Sequence, residues 1–483
     1  MDAGPAAGQT LAGRCRHRRG VQARPDPQDR GLSRRCRQAA AAAGRSPYRR
    51  RRRAPCPGRH PCALAEPRRS RRHRRFPDRG ALRLSRQPLL TVDAALALIG
   101  ARIAVPAGCE TVPVAGAAGR VLARPVLASE ALPAADNSAV DGYALHGTGD
   151  NACRLVPGRA AAGHPFPHAL AAGEAVRILT GAVVPDGTSA VLMQEQALIE
   201  GDILRWQGDL RPGANIRRKG EVLRPGEAAL PAELRLTPVH LGLLADLGVT
   251  EVGVRPRLRV ALLSSGDELR PAGAPKAAHQ VTDSNRPMLR GFLADLGCEV
   301  KDGPILPDDR AAIAQALREA AASADLVITT AGMSVGEEDH IPAILHGEGE
   351  MIFHRLALKP GRPMGLGLLG GTPVLGLPGN PGAVAVTFAL IGQMLVRHLA
   401  GEAPRPLPRY TVPAGFAYEK PAGDRALLPA RLNGGKLERV ARNAAGNLAW
   451  GGDAEGFADI AEATTSIAPG DPVGFIPFAG ALR

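Results

Sequence analysis

Aromatic side chains are scarce: Phe, Trp and Tyr make up 3% of 483 residues, against 45% apolar residues overall. Such a core is built on Val, Leu and Ala, and the length suits roughly three compact domains of about 150 residues. Lysine is absent from the first 86 residues, which hold 25 Arg against 5 acidic side chains. The net charge of +15 is therefore misleading, because the remaining 397 residues carry 36 basic and 41 acidic groups. That mildly acidic body excludes a nucleic-acid binder as the first expectation. Paired cysteines are lacking as well. Cys15, Cys36, Cys56 and Cys62 fall in the arginine-rich arm and only Cys109, Cys153 and Cys298 in the body, so no disulfide framework is implied. Cys56, His60 and Cys62 have no second cluster to complete a metal site. No apolar signal-peptide core opens the chain, and a cytoplasmic protein with no membrane partner is expected. Charge is missing altogether from 363 to 396. Pro378, Asn380, Pro381 and repeated glycines would break a spanning helix there, so the stretch reads as buried strands followed by a buried helix.

Residues 1–86 mix Arg with Ala, Pro and Gly and cannot bury enough apolar surface to offset the entropy of ordering. A phosphate-gripping arm is one reading. Codon bias in a GC-rich stretch ahead of the true start gives the same composition and is the favoured expectation. Order begins near Leu89, where Thr91 can cap a helix running to Gly100. From 142 to 220 short alternating runs (175–179, 190–194, 203–206) separated by Gly, Pro and Asp turns read as a small β-module. Mixed structure resumes to 256, with a helix at 238–247, so the module is inserted into a first mixed α/β domain, 87–141 and 221–256. From 257 to 402 the rhythm is strand, helix, strand, helix, starting with the apolar run 258–263. Helices near 285–296, 308–321 and 381–399 and a strand at 326–330 make an α/β domain. A small C-terminal β-domain, 403–483, follows. The fold class is thus α/β plus β in several domains.

Ligands of open α/β sheets bind at the carboxyl ends of the strands. Four loops qualify there: 264–268 (Ser-Ser-Gly-Asp-Glu), 282–286 (Thr-Asp-Ser-Asn-Arg), 331–339 and 377–381. Gly332, Ser334 and Gly336 of the third and Pro378, Gly379 and Asn380 of the fourth suit a phosphate or pterin cradle, with Asn380 as N-cap and Pro381 at the first helical position. Asp267, Glu268, Asp283 and Asp339 would gather at the same edge and, facing an anionic ligand, call for Mg²⁺ between them. Each could instead cap its helix. Lys359 and Arg362 flank Gly361 as an oxyanion clamp. The run 332–336 matches a nucleophile elbow, but no Asp lies between Asp339 and His398, no histidine follows His398, and Glu337, Glu338 and Asp339 would crowd the serine with negative charge, which argues against a serine hydrolase triad.

Taken together, LPAADNSAVDGYA (132–144), ILTGA (178–182), VLMQEQ (191–196), NIRRKGE (215–221), SSGDEL, TDSNR, AGMSVGEED, LKPGRP and LGLPGNP resemble the molybdopterin molybdenumtransferase family, in order, over roughly residues 88–400. The resemblance implies a homodimer with a site shared between subunits. It also implies Mg²⁺-dependent insertion of molybdate into adenylyl-molybdopterin with release of AMP. Asp141, Thr180, Glu268, Asp283 and Asp339 match its functional positions, as do Lys359 and Arg362, the latter where lysine is usual. Val222, Gly382 and Ala383 depart from the family pattern, and in the last domain 427–431 and 450–453 stand where it offers an arginine and a hydroxyl. A non-catalytic scaffold of this fold and a molybdopterin adenylyltransferase are the alternatives. The latter is also a candidate pathway partner, but it lacks the first two domains.

Overall fold

The computed structural model describes residues 89–334, 336, 339–440 and 446–482. The arm 1–86 with Cys56, His60 and Cys62, and Val335, Glu337 and Glu338 of the third loop, lie outside the described residues. Thr91 is the N-cap of the first helix, Val92–Arg102: its hydroxyl accepts the Ala94 N–H at 3.2 Å. The chain then makes three antiparallel pairings that it closes in reverse order. Glu110–Pro113 meets Glu251–Val254, Val126–Leu127 meets Ala228–Leu230, and Asn137–Ser138 meets Ile216–Arg217. Nested inside them is a six-stranded sheet built from residues 142–205. Period-two alternation serves both its faces, since Tyr143 and Leu145 join one apolar cluster and Ala144 another.

The run at 258–263 overlaps the strand Arg259–Ser265, which is exposed at Arg259 and buried from Val260 onward. Val260 and Leu262 pack with Leu289 and Leu293 on one side of the sheet, and Ala261 and Leu263 with Ile313 and Leu317 on the other. Glu299–Leu306, Arg259–Ser265, Leu326–Thr330 and Thr372–Leu377 run parallel in that order, and the antiparallel strands Gly365–Leu369 and Glu350–His354 complete the sheet. Helices Asn285–Asp295, Arg310–Ser323 and Ile341–Glu348 connect the strands.

The uncharged stretch holds the strands Gly365–Leu369 and Thr372–Leu377 and then Pro381–Leu399. Among the described residues this last segment alone is a helical stretch long and apolar enough to cross a membrane, yet 83% of its apolar window is buried in the fold. A single continuous helix is expected there. The structure instead changes winding, from α over Pro381–Thr387 to π over Phe388–Gly392 and back to α over Gln393–Leu399. The Phe388 ring occupies the space a side chain at Gly392 would need, with Cδ2 2.6 Å from the Cβ position. The Thr387 hydroxyl also donates to Ala383 O at 2.8 Å, a contact that perturbs a regular ladder.

The C-terminal sheet has the order Leu358–Lys359, Arg425–Asn433, Gly456–Ile460, Pro472–Pro477, Tyr410–Pro413, with Lys436–Arg439 paired to the second of these. Its first member comes from the preceding α/β segment. Leu358 and Lys359 align in parallel with Arg425 and Ala426, a pairing that hydropathy patterning did not suggest.

Candidate active site

Three parallel strands deliver loops to one edge, and a fourth loop joins them through a side chain. Asn285, at the start of its helix, donates from Nδ2 to Gly379 O at 2.8 Å, which ties the second loop to the fourth. Its Oδ1 is buried without a partner among the described residues. Gly332 approaches the first loop so closely that a Cβ would lie 3.5 Å from Ser265 Oγ, and a Cβ on Gly379 would lie 3.3 Å from Ala331 Cβ. Asn380 caps the following helix by accepting the Gly382 N–H at 3.1 Å, with Pro381 in the first turn, as expected. Pro378 is buried, whereas Gly379, Asn380, Ser334 and Gly336 are exposed.

The carboxylates are less convergent than the loops. Asp283 is buried and turned toward its own helix, accepting the Arg286 N–H at 3.1 Å and ion-pairing with Arg286 Nε at 3.3 Å. Asp339 accepts the Gly336 N–H at 2.9 Å. Asp267 and Asp308 exchange backbone-to-carboxylate bonds at 3.2 and 3.4 Å. Glu268 folds back over Gly266, which has a φ of +143° and no room for a side chain against that carboxylate. Among the described residues no three His, Cys, Asp or Glu side chains gather as a metal cage. The four carboxylates named from sequence therefore border one edge without forming a ready-made cluster, because each is occupied by a nearby backbone N–H, a guanidinium or its own turn. Oxygen-only donors on separate loops suit Mg²⁺ held by one or two of them together with phosphate oxygens of a substrate.

Arg286 was not singled out from sequence, although TDSNR contains it. Its guanidinium donates to Ser264 Oγ at 3.2 Å, to Pro304 O at 3.2 Å and to Gly303 O, so it braces the first and second loops.

Lys359 and Arg362 stand where the α/β and C-terminal sheets meet. Lys359 is exposed, and its ammonium makes no bond with any described residue, whereas Arg362 Nη2 donates to Asp424 Oδ2 at 2.6 Å. Gly361 between them has a φ of +121°, and a Cβ there would collide with Thr387 Cγ2. Gly361→Ala should therefore lower stability by about 1–3 kcal/mol, measurable as a fall in the denaturant midpoint. The C-terminal residues against the fourth loop are Gly446 and Asn447: a Cβ on Gly382 would lie 3.1 Å from Asn447 O, and one on Gly446 2.9 Å from Asn380 Nδ2. Arg431 lies six residues along its strand from Arg425 and is engaged by Glu438, with Nη2 to Oε2 at 3.1 Å.

Asp141 and Thr180 flank strands of the nested sheet. Asp141 Oδ1 accepts both the Thr180 N–H and its hydroxyl at 2.7 Å. Those two bonds, the backbone one foremost, hold the Asp141 carboxyl below its ordinary value, with Arg177 assisting. A depressed acid stabilises the fold fully above its ordinary value, and that contribution is lost as pH falls through the lowered one. Thr180→Val should move the Asp141 titration, followed by carboxyl-carbon NMR, upward toward the ordinary 3.8. Among the described residues the hydrogen bonds of this pair stay within the nested sheet.

The fold and this edge define an α/β-plus-β protein with an anion- and pterin-compatible site at the strand ends. Comparison with known proteins then narrows the class. The family profile described as "MoeA N-terminal region (domain I and II)" matches residues 90–248, and "Probable molybdopterin binding domain" matches 261–398. A molybdopterin molybdenumtransferase of Haemophilus influenzae is 40% identical over 317 residues, 65% of this chain and 78% of the relative. Molybdopterin molybdenumtransferase 2 of Mycobacterium tuberculosis is 33% identical over 375 residues, 74% of this chain and 93% of the relative. The crystal structure of a molybdopterin biosynthesis MoeA protein from Pyrococcus horikoshii superposes with a TM-score of 0.64 at 26% identity, covering 81% of this chain and 99% of that one. The chain belongs to the molybdopterin molybdenumtransferase family.

Proposed function

We propose that this chain transfers molybdate into adenylyl-molybdopterin and releases AMP, forming molybdenum cofactor. The observation that carries the reading is the Leu358–Lys359 strand, which sets an unpaired ammonium at the seam of the two sheets. An unpaired cation there suits an oxyanion brought up to a pterin dithiolene. Gly332, Ser334, Gly336, Pro378, Gly379 and Asn380 line the cradle, and Asn285 ties its second and fourth loops together. Lys359 and Arg362 hold the oxyanion, Asp424 fixing the guanidinium. Glu268, Asp283 and Asp339 border this edge on their loops, and Mg²⁺ bound by one or two of them with substrate phosphates would neutralise charge on the departing AMP. No side-chain nucleophile is needed.

The same reading makes the protein a cytoplasmic homodimer. It takes residues 87–141 with 221–256, 142–220, 257–402 and 403–483 as four domains, with Asp141 and Thr180 completing the partner's site. Val239, 80% exposed on the helix Pro238–Asp246, and Val222, 62% exposed, are apolar positions a second copy could cover. Incubation with adenylyl-molybdopterin, molybdate and Mg²⁺ should release AMP stoichiometrically with cofactor. Pterin binding without AMP release would instead identify a scaffold.

A further inference from the structure

Where the chain passes from the strand Glu251–Val254 to the strand Arg259–Ser265, arginines outnumber their carboxylate partners. Five guanidiniums meet around this crossing: Arg120, Arg235, Arg255, Arg257 and Arg397. Glu110 pairs with Arg120, and Glu402 serves both Arg235 at 2.8 Å and Arg397 at 3.2 Å. The remaining bonds go to backbone carbonyls. Arg235 Nη1 donates to Gly119 O at 2.7 Å and Leu296 O at 3.2 Å, Arg257 Nη1 to Gly297 O at 3.0 Å, and Arg120 Nη2 to Arg255 O at 2.7 Å. Three nitrogens are buried with no partner among the described residues: Arg235 Nη2, Arg255 Nε and Arg397 Nε.

Arg120, Arg235, Arg255 and Arg257 line a recess of about 20 Å³ that no carboxylate borders. Cys298 lines it too, but burial pushes its thiol up to about 12 against the pull of Arg235 and Arg257, so it brings no negative charge. An adjoining recess shared by Arg255 and Arg257 does hold Glu110, Glu299 and Asp325. Glu110 is taken by Arg120 and Asp325 by Arg259 at 2.7 Å, which leaves Glu299 as that recess's unpaired acid among the described residues. Guanidinium donors left partly desolvated and unpaired are costly, and an anion among them removes the deficit.

We propose that this recess binds one monatomic inorganic anion of the halide class, which clamps the crossing between the two segments. Its small size favours that class, because a recess of about 20 Å³ is matched by one small, near-spherical anion. The site lies apart from the loops assigned to the transfer reaction.

Two measurements on the full chain test it. Thermal midpoints in sodium chloride and sodium gluconate at equal ionic strength should differ by about 2 °C in favour of chloride. Arg255→Gln, which breaks no ion pair, should abolish that difference. Crystals grown in sodium bromide should show an anomalous peak among Arg120, Arg235, Arg255 and Arg257. Equal midpoints in the two salts, a chloride increment that survives Arg255→Gln, or bromide density only elsewhere would overturn the proposal and leave a water in the recess.

Discussion

Asp339→Ala should depress AMP release by more than about a hundredfold while shifting the thermal midpoint little. The first half follows from its position on the third loop, where the carboxylate faces the phosphoanhydride in the proposed reaction and charge stabilisation of that kind typically contributes two to three powers of ten. The second half follows from its bonding, since the carboxylate's one hydrogen bond to a described residue is to the exposed Gly336 N–H at 2.9 Å. Losing a turn of that sort costs about 0.5–2 kcal/mol. Asp283→Ala is the informative contrast. It is buried against Arg286, which braces Ser264 and the carbonyl of Pro304, so its loss should reduce both turnover and stability. Turnover and unfolding measured on the same preparations separate the two. Near-normal AMP release by Asp339→Ala, with the stability loss alone, would reduce that residue to a loop brace.

Much of this was legible in the residues because short-range physics decided it. Thr91 and Asn380 cap helices where they precede apolar segments, and the strand Leu326–Thr330 has the bounds expected of it. The loops of the site were equally visible, as glycines and carboxylates placed directly after buried strands. What escaped depends on partners far away in the chain. Leu358–Lys359 is two residues long and has no alternation of its own; its pairing is set by Arg425 and Ala426, over sixty residues on. Gly446 and Asn447 meet the fourth loop because a close approach to Asn380 and Gly382 needs small residues, which composition alone cannot locate. The engagement of the carboxylates by local N–H groups was the alternative the sequence left open, that each caps its helix or loop. Asp-to-backbone bonds at three residues' separation, as at Asp283 and Asp339, are the default fate of such side chains at helix and loop starts.

The largest expected loss of stability lies at Asp459, beneath the strand that carries Lys359. Its carboxylate receives Arg425 in a two-pronged pair, both bonds at 2.7 Å, and Arg409 as a further partner. Arg425 and Asp459 are both buried, with side-chain exposures of 7% and 2%, so water cannot substitute for either. The outlying Asp93, 3.7 Å from Arg425, is 87% exposed and too well solvated to take over. Asp459→Ala leaves a buried guanidinium uncompensated, and removal of one partner from such a pair costs about 3–5 kcal/mol. Replacing both, as Arg425→Met with Asp459→Leu, removes the charge together with its partner and should recover most of that loss. Arg409 keeps the recovery incomplete, because it too loses its carboxylate. Arg425 is in register with Leu358, so the single variant should also loosen the Lys359 strand and raise the molybdate concentration needed for half-maximal turnover. Urea unfolding of the two single variants and the double variant, read as a double-mutant cycle, measures the coupling. A loss below about 1 kcal/mol in Asp459→Ala would mean that the pair behaves as a solvent-screened surface bridge.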